Sequence, residues 1–185
     1  MLQDFSLGTI IYVLVSIIFG RDFSAYYYLL ALVLAALPDI DFIPYIIFRK
    51  RLSLVTHRSV HYPLVFFGVS LIVFTRNPYL GILSLALFAN HFVADSFSAT
   101  EYPTGIRWFF PFSKKSWYIL QGKIYKLTEA QQNEQLDKRK NFWNTKGEKR
   151  TALWEIMVRL GALTLNGVIF AGIAIASITF LLLRS

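Results

Sequence analysis

Five apolar stretches dominate the sequence and constrain the fold more than any other feature. They cover residues 6–20, 25–48, 59–75, 79–96 and 160–183. Hydrophobic residues make up 55% of the 185 residues and charged residues only 16%, which is too apolar for an ordinary soluble domain. We therefore expect an all-α integral membrane protein, with about five transmembrane helices in a single membrane domain, residues 1–185.

The apolar stretches differ in length and continuity. Only the last one is long and uninterrupted, whereas the others are short or carry polar residues, which suits helices packed against one another. The second stretch is interrupted at Pro38-Asp39-Ile40-Asp41. Because proline disrupts a helix at such a place, we expect the second helix to be broken there.

The composition changes between residues 97 and 151. An aromatic-rich piece, IRWFFPFSKKSWY, is followed by a polar one, TEAQQNEQLDKRKNFWNTKGEKR. The first is typical of an interfacial segment and the second of a solvated loop or short helix. We expect residues 97–151 to form an interfacial and cytoplasmic insertion before the last transmembrane helix.

Positive residues are concentrated in two of the segments between the apolar stretches. The segment between the second and third stretches contains four of them, and residues 107–159 contribute twelve more. The positive-inside rule then places both segments and the N-terminus in the cytoplasm. Topology and anionic lipid headgroups account for the net charge of +8. The expected partner is therefore the lipid bilayer and not nucleic acid.

This topology brings every histidine of the chain, and three of its eleven acids, to one depth near the cytoplasmic side. The candidates are Asp39, Asp41, His57, His61, His91 and Asp95. Residues four positions apart share one face of a helix, so His91 with Asp95 can chelate an ion. The two histidines of THRSVHYP, residues 56–63, have the same spacing.

The Asp-Ile-Asp triplet has a different geometry. Asp39 and Asp41 point apart on a regular helix and converge only on extended backbone. Pro38 and Pro44 bracket the triplet and disrupt helix. Broken backbone at membrane depth is tolerated where protein buries it or where it lines a watery cavity, so we expect a recessed pocket open to the cytoplasm.

Imidazole and carboxylate ligands suit zinc, with manganese or iron as alternatives, and six candidates leave one or two ions open. Asp41 is the candidate general base if it does not bind metal, and Arg58 can neutralise charge that develops on phosphate oxygens. Structural roles remain open as well. The histidines can hydrogen-bond between helices, and the aspartates can pair with Arg49, Arg51 or Arg58.

Three motifs carry a family resemblance. ALPDID, HRSVHYP and NHFVADSFSATEYPTGIRWFFPFS, in this order, resemble the bacterial and archaeal membrane-bound metal-dependent hydrolases, the YdjM-like inner-membrane proteins. The likeness covers about residues 30–113. It implies a multi-pass protein of the inner membrane, with metal ligands at Asp39, Asp41, His57, His61, His91 and Asp95.

The N-terminus departs from that family pattern. Family members carry a histidine close to the N-terminus, whereas this chain reads MLQDFSLGT. Either Asp4 takes the place of that histidine or the ligand is missing.

The function expected from these features is a membrane-embedded, metal-dependent hydrolase with a site facing the cytoplasm. Metal-activated water would cleave a phosphoester or ester of a lipid-like substrate. The alternative is a divalent-metal transporter or sensor, although transport sites usually lie near the bilayer midplane. A scaffold with structural zinc is a third possibility, and it predicts closed coordination.

Overall fold

The computed structural model describes residues 2–41, 62–97 and 103–146, together with residues 172, 175–180 and 182–183. In chain order its elements are helix α1 (Leu2–Ile18), helix α2 (Ala25–Ala36), a 3-10 turn (Leu37–Asp41), helix α3 (Pro63–Arg76), helix α4 (Pro78–Ser96), strand β1 (Ser116–Leu120), strand β2 (Lys123–Leu127) and helix α5 (Glu129–Lys146). Residues 175–180 are also helical.

The expectation of an all-α integral membrane protein with about five transmembrane helices is wrong for the described ranges. None of their helices combines the length and the apolar character that crossing a bilayer requires. Helices α1 and α3 contain 17 and 14 residues, whereas a span needs about 20 predominantly apolar residues. Helix α4 has 19 residues but carries Asn90, His91 and Asp95. The β-hairpin contradicts the all-α class as well.

The ends of the helices follow from local sequence. Helix α1 stops because Gly20 adopts a φ of 60°, and the amides of Gly20 and Arg21 bond back to the carbonyls of Ile17 and Ser16 at 3.1 and 2.8 Å. This is a Schellman motif, which glycine favours. Helix α4 begins at Pro78, and the Asn77 side chain accepts a hydrogen bond from the Leu80 amide at 3.1 Å, as an N-cap does.

The aromatic-rich piece contributes a β-strand that the sequence analysis did not predict. Strands β1 and β2 pair in antiparallel fashion, with Leu120 opposite Lys123. Between them, Gln121 and Gly122 have φ values of 51° and 75°, as a two-residue turn of type I′ requires. Within the charged piece that follows, Glu129–Lys146 form an 18-residue helix, α5. Thr128 and Gln131 exchange capping-box hydrogen bonds at its start.

The chain divides into two compact units. The first comprises residues 1–37, 68–90 and 151–185. Its core is formed by the residues Tyr12, Val13, Val15, Ala31, Ala35, Tyr79, Leu83 and Leu87. Polar links cross this core, since the hydroxyl groups of Ser16 and Tyr79 lie 3.0 Å apart. The unit therefore joins α1, α2 and the first part of α4.

The second unit comprises residues 38–67 and 91–150. In it, the segment before the hairpin pairs with β1, because Ile106 and Trp117 exchange backbone hydrogen bonds of 2.8 and 2.9 Å. Phe97, directly after α4, forms a parallel bridge with Ile119. The hairpin is thereby attached to the end of α4, the helix that carries His91 and Asp95.

Candidate metal centre

Helix α4 places His91 and Asp95 on one face. His91 Nε2 lies 3.2 Å from Asp95 Oδ2, as the separation of four residues predicts. The His91 side chain is only 3% exposed, whereas the Asp95 carboxylate is partly open to solvent. The buried imidazole thus faces a carboxylate that solvent and ligands can reach.

A second carboxylate reaches the same imidazole from the 3-10 turn. Asp39 Oδ1 lies 3.7 Å from His91 Nε2. Helix α2 ends at Ala36, and the proline that follows, Pro38, is buried. The backbone here is a 3-10 turn, in which Asp39 itself leaves helical geometry, at φ −86° and ψ 16°. This departure occurs at the residue that carries the carboxylate.

The described donor set fits a divalent cation. Ligand atoms about 2.0–2.2 Å from a tetrahedral zinc ion are about 3.3–3.6 Å apart, and the separations of 3.2 and 3.7 Å bracket that range. One imidazole nitrogen with carboxylate oxygens is a set that zinc, manganese and iron accept. Asp39 and His91 both belong to the described residues that could hold a metal ion. A protonated imidazole between two carboxylates is the competing explanation of the same distances.

Aromatic side chains close one side of the imidazole. The ring of Phe92, which is fully buried, meets the His91 ring edge-on at 5.5 Å, and it also contacts Phe66 and Trp108. The Trp108 indole donates a hydrogen bond of 3.0 Å to Ser96 Oγ. An apolar wall of this kind lowers the local dielectric constant and strengthens the attraction between a cation and its carboxylate ligands.

Sequence reasoning did not predict these supporting contacts. Ser96 Oγ donates a hydrogen bond of 2.8 Å to the Phe92 carbonyl and accepts the one from Trp108, so it connects the segment before the hairpin to α4. A signal was present, because Phe92 and Ser96 lie on one helical face, four residues apart. Nothing local indicated that Trp108 would pack there.

Several predicted site residues lie outside the described part of the chain. These are His57, Arg58 and His61, together with the side chain of Asp41. Their assignment as ligands, base or charge partner stays a prediction. Asp4 is described, in the first turn of α1, with a half-buried side chain.

Fold and site together define a mainly helical protein with a small β-hairpin, in which a buried histidine faces two carboxylates. The chain belongs to the YdjM inner membrane protein family, whose model matches residues 3–177. This match confirms the resemblance seen in the three sequence motifs and indicates a protein of the inner membrane. No curated protein and no solved structure matches the chain.

Proposed function

We propose that this protein is a metal-dependent hydrolase of the inner membrane, which cleaves a phosphoester or ester of a lipid-like substrate from the cytoplasmic side. One observation carries the proposal: the carboxylates of Asp39 and Asp95 lie within 3.7 and 3.2 Å of one buried imidazole nitrogen. A buried histidine beside specific charged partners is a candidate for a functional site.

His91, Asp39 and Asp95 would hold the ion in this proposal. A bound divalent cation supplies Lewis acidity, which polarises the ester and makes water a competent nucleophile at neutral pH. The aromatic side chains beside His91 keep bulk water from its imidazole. The partly exposed Asp95 leaves an approach for the substrate. Zinc is our first choice, with manganese or iron as alternatives. His57 and His61 are further proposed ligands, so the number of ions, one or two, stays open.

Two further roles rest on the sequence alone. Asp41 is the proposed general base when it does not bind metal, and Arg58 is the proposed partner for the charge that develops on phosphate oxygens. Asp4 is a further proposed ligand, because an acid stands in the region where the family carries a histidine.

Metal analysis of the purified full-length chain tests the ligand set. We expect bound metal in the wild type, and an affinity at least about 100-fold lower in His91→Ala. Asp39→Asn and Asp95→Asn should also weaken binding while they keep the side-chain size. Asp137→Asn, which changes an exposed acid of α5, is the matched control and should bind like the wild type. Full metal occupancy in all three site variants would show that the ligand assignment is wrong.

Hydrolysis assays on phospholipid and prenyl phosphate panels test the reaction. Activity should be lost on chelation, return on addition of the metal, and stay absent in His91→Ala. Metal flux into proteoliposomes without turnover of any ester would instead favour a divalent-metal transporter. Bound metal with neither flux nor turnover would favour a sensor or a structural zinc site.

A further inference from the structure

The β-hairpin presents one apolar face that its strand register defines. Residues that pair directly across two strands project to the same side of a sheet. Trp117 pairs with Lys126, and Ile119 pairs with Ile124, so these four side chains share one side. Tyr118 and Tyr125 pair on the opposite side, where their rings stack at 5.1 Å.

Two aromatic residues outside the hairpin contact this face at strand β1. Phe97 bridges to Ile119, and the Phe109 ring meets the Trp117 ring edge-on at 6.4 Å. Side chains of this surface are open to solvent: Phe97 is 59% exposed and Ile124 is 70% exposed. We call this surface the hairpin face, and it consists of Phe97, Phe109, Trp117, Ile119, Ile124 and Lys126.

The sequence segment that forms the hairpin is positively charged. Residues 113–127 contain four lysines and no acid, and all four lysine side chains are exposed. Lys126 Nζ lies 5.1 Å from the centre of the Trp117 ring, so a positive charge stands directly on the apolar surface. Lys114 is also within 3.7 Å of Glu129 but remains 72% exposed.

We propose that the hairpin face docks on an anionic membrane surface. Exposed aromatic and aliphatic side chains enter the boundary between headgroups and acyl chains, and lysines at the same surface attract anionic lipids. The positive charge of residues 113–127 is complementary to anionic headgroups. The family places the chain at the inner membrane, and the inference does not depend on the metal centre.

A labelling experiment on the full-length chain tests this orientation. Because the sequence contains no cysteine, an introduced cysteine is the single site that a thiol-reactive label modifies. Ile124→Cys and Tyr125→Cys place an environment-sensitive fluorophore on opposite sides of strand β2. In vesicles of phosphatidylcholine and phosphatidylglycerol, we expect a blue shift at position 124 and quenching by lipids with a nitroxide near the headgroup. The label at position 125 should show neither change.

A charge variant tests the electrostatic part of the proposal. In the Ile124→Cys background, Lys126→Gln should raise the phosphatidylglycerol concentration needed for half the blue shift by about fivefold. Lys138→Gln, which removes an exposed lysine of α5, is the matched control and should leave that concentration unchanged. Unfolding midpoints equal to that of the unlabelled protein would show that the variants fold.

Three outcomes would overturn the proposal. One is equal lipid quenching at positions 124 and 125, and another is no quenching at either position. The third is efficient cross-linking between two copies through position 124, because that would make the hairpin face an interface between protein chains.

Discussion

At the scale of single residues, Arg107 shows how a charge inside the hydrophobic aromatic piece is accommodated. Its guanidinium is buried, and Nε and Nη2 donate hydrogen bonds of 2.9 and 2.7 Å to Gln132 Oε1. Gln132 in turn donates a hydrogen bond of 3.0 Å to the Thr104 carbonyl, and Glu129 lies 3.6 Å from Nη2. Arg107 therefore joins the segment before the hairpin to the first turns of α5.

We expect Arg107→Lys to destabilise the protein, because an ammonium cannot reproduce the planar pair of donors that meets Gln132. The buried amide oxygen would lose at least one partner, at a cost of about 1–3 kcal/mol in the free energy of unfolding. Urea titration measures this. Lys114→Gln, at the exposed end of the same charge cluster, should cost less than about 1 kcal/mol, and equal effects of the two variants would contradict this assignment.

At the scale of elements, the pair formed by α3 and α4 depends on close backbone approach. A Cβ atom added at Gly81 would lie 2.3 Å from the Phe74 Cα, whereas one added at Gly68 would meet nothing within 4 Å. The hydroxyl of Ser84 donates a hydrogen bond of 3.0 Å to Ser70 in the same interface. Small residues thus set the distance between the two helices.

The two glycines should respond in opposite ways to the same substitution. Gly81→Ala forces backbone apart and should cost about 1–3 kcal/mol or more of stability. Gly68→Ala should stabilise α3 by about 0.5–1 kcal/mol, because alanine has the higher helix propensity. Denaturant unfolding of both variants, monitored by circular dichroism, measures the two changes in the free energy of unfolding. A neutral Gly81→Ala would mean that the helices are farther apart than described.

At the scale of the whole molecule, metal binding should stabilise the two units unequally. Asp39, His91 and Asp95 all belong to the second unit, and a ligand that binds only the folded state at 100 times its Kd adds about 2.7 kcal/mol. Hydrogen exchange should therefore slow at the end of α4 when zinc is added, and His91→Ala should abolish the effect. Unchanged exchange in α4 would count against the metal centre.

Much of the local structure could be predicted from the sequence, and some available signals were missed. Pro38 and the Asn77-Pro78 pair mark helix ends. The Gln121-Gly122 pair, flanked by strand-forming residues, is a hairpin signal, and Thr128 with Gln131 is a capping-box signal. The prediction of spanning helices failed for the described ranges because their helices are shorter than a span, as in α1 and α3, or carry polar residues, as in α4.

The sequence by itself determined the family of the protein and the pairing of His91 with Asp95, since helix geometry fixes the distance between residues four positions apart. Only the tertiary structure brought Asp39 to the same imidazole and placed Trp108 against Phe92. The packing of separate segments also brought Arg107 into contact with Gln132. Such distances depend on how whole elements pack, because no local backbone preference links residues that lie far apart in the chain.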